Sequence, residues 1–195
     1  EAIFKQRQDG LHFIHAFDDE HVMAGQGTIG LEICDDDIAP DAVIVPVGGG
    51  GLISGIAVAI KEKYPQCQVY GVEAKKCPSM KISLDAKHII PMKTTPTLAD
   101  GIAVKTVGQL TFPVIQRYVD EMVLVDEEEI AAAIMTFLET EKTLVEGAGA
   151  VPLAALEYHN LPLKGKRVVL VVSGGNTDIN LLSRIIERGR IKDGR

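Results

Sequence analysis

The sequence predicts an α/β fold of three layers, in which a mostly parallel sheet carries helices on both faces. Three observations lead there. Apolar runs alternate along the chain with segments of helical periodicity. The runs at residues 42–47, 68–73 and 167–172 are nearly continuous, as in strands buried on both sides. Strand, glycine loop, helix and strand also follow one another within residues 42–73, the span of a βαβ unit.

Residues 11–16 and 122–125 are shorter strand candidates, and residues 28–34 fit a helix. After Gly51, the apolar positions Ile53, Ile56, Ala57 and Ile60 share one helical face. Lys61 and Lys63 suit the negative end of that helix, and Pro65 stops it. Residues 81–99, with Pro91 and Pro96, read as irregular connection, and residues 107–119 as a helix. Asp126 with Glu129 forms a capping box for a helix with the stripe Ile130, Ile134 and Leu138. Helices are also expected at residues 149–158 and 178–188, the second with Asn176 near its cap.

The chain's 195 residues suit one domain, which at that size buries roughly 70% of its unfolded surface. With 46% hydrophobic and 24% charged residues, it is too apolar for a disordered segment. A net charge of −7 and the absence of Trp oppose a nucleic-acid partner. Cys34, Cys67 and Cys77 are odd in number and lack C-x-x-C spacing, so reduced thiols are expected rather than disulfides or zinc. No basic and then apolar leader opens the chain, which gives a cytoplasmic expectation. Residues 42–60 carry no charge, yet Pro46 and four consecutive glycines would break a membrane-spanning helix.

The densest chemical signal is Val47-Gly48-Gly49-Gly50-Gly51-Leu52, between a buried strand and a helix. Successive glycine N–H groups there converge on one point without Cβ atoms in the way, with a helix N-terminus behind them. A phosphate is the natural guest. A dinucleotide is one alternative, since Glu73 lies 22 residues after Gly51. The third fingerprint position, however, is Ser54 or Ile53 according to the register chosen, and no Walker lysine follows. The second signal is Val171-Val172-Ser173-Gly174-Gly175-Asn176. Its serine ends a buried strand on the sheet edge where open α/β folds bind ligands, and so can face whatever residues 48–51 hold.

Together with Ala24-Gly25-Gln26-Gly27-Thr28, Ala99-Asp100-Gly101 and Glu146-Gly147-Ala148-Gly149, these motifs closely resemble the threonine/serine dehydratase and serine racemase family, across essentially the whole chain. The resemblance implies a pyridoxal 5'-phosphate (PLP) enzyme of fold type II. It implies that Gly48, Gly49, Gly50 and Gly51, with Leu52, hold the cofactor phosphate. Ser173, with Gly174 beside it, would meet the pyridine nitrogen, and Glu146 would lie near the ring. Glu146 also has a plain reading as a carboxylate at a helix N-terminus. Asp100 and Gly101 would shape the site.

Departures from the family pattern carry equal weight. The Ser-x-Lys-x-Arg-Gly-like segment that supplies the Schiff-base lysine is absent, so no catalytic residue is expected within this chain. Ile3-Phe4-Lys5-Gln6-Arg7-Gln8 imitates it only superficially, and Lys5 reads as a solvated helix residue. Some relatives bind a divalent cation through a glutamate and an aspartate six residues later. Glu73 matches the first, but Ser79 replaces the aspartate and Cys77 stands at the carbonyl position, so no tight magnesium site is expected.

The implied activity is deamination of threonine, serine or both by β-elimination, giving a 2-oxo acid and ammonia. The alternatives are a serine racemase-like enzyme, a nicotinamide-dependent oxidoreductase and a non-catalytic cofactor-binding module. Residues 1–18 would be the tail of a small domain and residues 19–195 the C-terminal part of a large PLP-binding domain. The expected partners are an amino-acid substrate, further copies of the chain in a homo-oligomer, and a missing N-terminal segment of the same protein. Lys192-Asp193-Gly194-Arg195 resembles the point from which longer dehydratases continue into a regulatory domain.

Overall fold

A computed structural model describes residues 2–36, 38–178 and 185. The helix α1 (Ala2–Asp9) is followed by α2 (Glu20–Asp35), β1 (Ala42–Pro46), α3 (Gly51–Lys63) and β2 (Gln68–Ala74). Next come α4 (Ser79–Ala86), a 3-10 turn (Asp100–Ile102), α5 (Thr111–Tyr118), β3 (Glu121–Val125) and α6 (Glu127–Thr136). A π-helical turn (Phe137–Glu141), α7 (Gly147–Tyr158) and β4 (Val168–Leu170) complete the described elements.

The strands lie in the order β3-β2-β1-β4, and every pairing is parallel. Strand alternation divides the interior into two cores. Ala42, Ile44, Tyr70, Val72 and Val125 face one way and pack with Ile130 and Ile134 of α6 and Ala150 and Val151 of α7. Val43, Val45 and Val69 face the other way, against Ile53, Ile56 and Ile60 of α3, Ile115 of α5 and Cys34 of α2. Two cores separated by one sheet are the three layers that the apolar runs predict.

Local signals set several boundaries. Asp19 starts α2 by accepting the N–H groups of His21 and Val22, several residues earlier than the expected helix at 28–34. The Asp126–Glu129 capping box is present, with both reciprocal bonds at 2.9 Å. Leu138 falls in the π-helical turn rather than in α6. The helix expected at 107–119 begins at Thr111, and the one expected at 149–158 begins at Gly147.

Three expectations are corrected. Residues 11–16 form no strand: Leu11, Phe13 and Ile14 are exposed, and among the described residues no strand pairs with them. The run at 167–172 is a strand only over Val168–Leu170, although the Arg167 carbonyl and the Val171 N–H still bond to its neighbour. Residues 81–99 are not wholly irregular, because α4 occupies their start. It follows Pro78 and has no cap of its own; its first N–H groups are taken by Glu73, distant in sequence. The expected helix at 178–188 and the terminal segment 192–195 lie outside the described residues, apart from Asp178 and Ile185.

Candidate functional site

β1 is the earliest strand yet lies inside the sheet, with β2 on one side and β4 on the other. The chain therefore leaves the carboxyl ends of β1 and β4 in diverging directions, which opens a crevice between their loops. Residues 47–50 leave β1 on one side of it and residues 171–176 leave β4 on the other. A cavity of about 380 Å³ lies there, lined by Gly48, Gly49, Gly50, Gly51, Leu52, Glu146 and Ser173, together with Phe17, Gly101 and Ile102.

Gly50 has φ +101° and is the N-cap of α3 without any side-chain cap bond. Left-handed backbone of this kind strains a residue with a Cβ. Among the described residues no protein acceptor takes the N–H groups of Gly49, Gly50, Gly51 or Leu52; the first bond of the helix runs from the Ser54 N–H to the Gly50 carbonyl. Unpaired donors clustered at a helix N-terminus form an anion site. Lining carboxylates would oppose one, and among the described residues Glu146 alone brings a carboxylate to the cavity.

The Glu146 side chain does not cap its own helix. It is the N-cap residue of α7 but makes no side-chain cap bond. Its Oε2 accepts the Asn176 N–H at 3.0 Å, and its own N–H donates to the Gly174 carbonyl at 3.1 Å. A Cβ on Gly174 would stand 2.3 Å from Glu146 Oε1. Glu146 thus holds the loop that carries Ser173, and Gly174 stands one step behind the cavity wall. The Ser173 side chain is exposed, and among the described residues its hydroxyl has no partner. Asp100 lies on the 3-10 turn whose Gly101 and Ile102 wall the cavity.

Lys5 is exposed on α1 and is not among the lining residues. Glu73 is fully buried and accepts the N–H groups of Met80 and Lys81, both at 2.8 Å, with the Ser79 hydroxyl at 3.5 Å. Burial pushes its pKa from an ordinary 4.5 to about 7, although those donors pull it down. Its oxygens are thus engaged in starting α4. All three cysteines are free and buried, and burial raises Cys67 to about 11, which leaves it a protonated, unreactive thiol at neutral pH.

Sequence reasoning missed Phe17. Its ring covers Gly49, where a Cβ would come within 2.2 Å, and its backbone lies against Gly51. The His15 ring stacks edge-on against it at 4.6 Å. A single aromatic residue between Ala16 and Asp18 carries no signal of such a placement. A larger apolar cleft of about 590 Å³ lies between α2 and α3, lined by Met23, Leu31 and Val58 among others. It lacks the convergent donors of the glycine loop, so the smaller cavity is the candidate site.

The family described as "Pyridoxal-phosphate dependent enzyme" matches residues 2–174. An L-threonine ammonia-lyase of Thermotoga maritima is 54% identical over 194 residues, covering 100% of this chain and 48% of that protein. The catabolic L-threonine dehydratase of Staphylococcus aureus is 45% identical over 186 residues, covering 94% and 54%. The processed form of threonine deaminase isoform 2 from Solanum lycopersicum superposes with a TM-score of 0.92 at 38% identity, covering 97% of this chain and 53% of that one. The chain spans about half the length of the curated relatives it matches.

Proposed function

Because the chain belongs to the family of pyridoxal-phosphate dependent enzymes, we propose that it forms the phosphate- and pyridine-binding part of a lyase acting on threonine, serine or both. The lyase releases a 2-oxo acid and ammonia. The observation that carries this reading is the row of unpaired amides at Gly49–Leu52, which faces Ser173 and Glu146 across one cavity. The relatives named for threonine favour threonine as substrate. Family membership sets the nicotinamide alternative aside.

The residues present fit a phosphate-bearing pyridine. The amides of Gly49, Gly50, Gly51 and Leu52, with the positive end of α3, receive the phosphate. Ser173 offers one neutral hydroxyl to the ring nitrogen, which it can meet as donor or acceptor. A serine, unlike a carboxylate, does not hold that nitrogen protonated. Glu146 fixes the loop on which Ser173 rides. When bound, the cofactor supplies an electron sink for negative charge at the substrate α-carbon. The lysine that completes the chemistry is expected outside this chain, with residues 1–18 forming the tail of a small domain and residues 19–195 part of the large one.

The test is Gly50→Asp in the full-length protein. A Cβ at Gly50 would meet Ile115 and Thr111 at 2.7 to 2.9 Å, and the carboxylate would repel phosphate. PLP titration of the apoprotein by absorbance should show affinity lowered by at least about tenfold, with 2-oxobutanoate formation from threonine falling in parallel. An unchanged dissociation constant removes the loop from the phosphate site.

A further inference from the structure

The orientation of the cradle amides is not set by the glycines alone. The Gly49 carbonyl is held from behind by two donors, the Gly108 N–H at 3.1 Å and the Thr111 hydroxyl at 2.6 Å. A trans peptide is planar, with its C=O and N–H antiparallel. Fixing the Gly49 oxygen toward residues 108–111 therefore turns the Gly50 N–H the opposite way. The Gly50 carbonyl, bonded to the Ser54 N–H at 3.0 Å, orients the Gly51 N–H in the same manner.

The turn that holds Gly49 is itself held. Asp18 Oδ1 accepts the Leu110 N–H at 2.8 Å and Oδ2 accepts the Gln109 N–H at 3.0 Å, immediately before α5. A carboxylate in front of a helix N-terminus is favoured by the unpaired amides and by the helix dipole. Space beside Gly108 is limiting, since a Cβ there would stand 2.3 Å from Asp18 Oδ1 and 2.6 Å from Thr111 Oγ1. Asp18 belongs to the same segment as Phe17, whose ring covers Gly49 from the cavity side. Its N–H donates to His15 Nδ1 at 3.0 Å, which stiffens that segment. The glycine loop is thus held between residues 15–18 and residues 108–111, and Asp18 ties the two together.

We infer that Thr111 and Asp18 are positioning residues for the phosphate cradle, Thr111 by fixing the Gly49–Gly50 peptide and Asp18 by fixing the turn that carries Thr111. This rests on the reading of Gly49–Leu52 as the phosphate site. Neither Asp18 nor Thr111 lines the cavity; they act only through the loop amides, so their effect is specific to ligands that carry a phosphate.

The experiment uses the full-length apoprotein and two probes, PLP and pyridoxal, which differ by the phosphate. Thr111→Val keeps the shape and removes the hydroxyl. It should weaken PLP by about tenfold, the size of one hydrogen bond in a closed site, and leave pyridoxal unchanged. Thr111→Ser should restore PLP affinity. Asp18→Ala should weaken PLP by about threefold, also without effect on pyridoxal. Equal losses for both probes, or no loss for either, would overturn the inference. Gly50→Asp separates the two readings. If it weakens PLP selectively while Thr111→Val does not, the positioning role fails and the cradle stands. If it fails to weaken PLP selectively, the cradle reading itself is lost.

Discussion

Glu73 should make the stability of this protein depend on pH in a window where most carboxylates are silent. The group is fully buried, and burial raises its pKa from 4.5 to about 7. The folded state therefore holds its proton more tightly than the unfolded chain does. The stabilisation is complete below about pH 4.5 and is lost as the pH rises through about 7. The interval between those values corresponds to about 3 kcal/mol. Lys81 gives little compensation, because its ammonium is engaged by Asp85 at 2.6 Å. Glu73→Gln removes the charge and keeps an oxygen acceptor for α4, at the expense of one bond worth about 1 kcal/mol. Urea unfolding followed by circular dichroism should find the variant slightly less stable than wild type near about pH 5 and more stable, by about 2 kcal/mol, near about pH 8. A wild-type to variant difference that stays constant across this range would show that Glu73 titrates as an exposed carboxylate does, and would refute the balance of burial over its amide donors.

Three further outcomes are expected. Ser173→Ala should keep the fold, change the cofactor absorbance spectrum and lower kcat/KM for threonine by one to two orders of magnitude, as expected for a lost bond of about 1 to 3 kcal/mol; an unchanged spectrum and rate would make Ser173 only a turn residue. Asp126→Ala removes the side-chain acceptor of the Glu129 N–H, one half of the capping box, and should destabilise the protein by about 1 kcal/mol, read as a lowered urea midpoint without loss of PLP affinity. Lys5→Ala in the full-length protein should leave 2-oxobutanoate production at the wild-type rate, because Lys5 is exposed on α1 away from the cavity.

Much of this architecture is legible in the sequence because its signals are local. The runs that became β1 and β2 are apolar on both faces and have only one way to be buried. Asp126 and Glu129 satisfy each other within one turn. The failures share a different cause. Residues 11–16 have strand composition, but a strand exists only where a neighbour takes its ladder. The helix α4 has no local cap and is started by Glu73 from the end of β2, a tertiary contact that no window of sequence contains. At the site, the glycines, Glu146 and Ser173 are visible as motif residues. Phe17, Asp18 and Thr111 are not, because their meaning lies in what they face across the fold.

The sheet order has a consequence for how the molecule assembles itself. Ala42 pairs with Gln68 on one side and with Val168 on the other. The first pairing closes a short βαβ loop, while the second must bring together segments separated by most of the chain, at an extra entropic cost of about 1 kcal/mol. The pairing of β4 is therefore the one with the greatest sequence separation from β1. The Ser173 side of the cavity follows β4 in the chain, and Glu146 fastens it there through Gly174 and Asn176. The two walls of the cavity thus belong to parts of the sheet closed by very different lengths of chain, the glycine loop by the short connection and Ser173 by the long one.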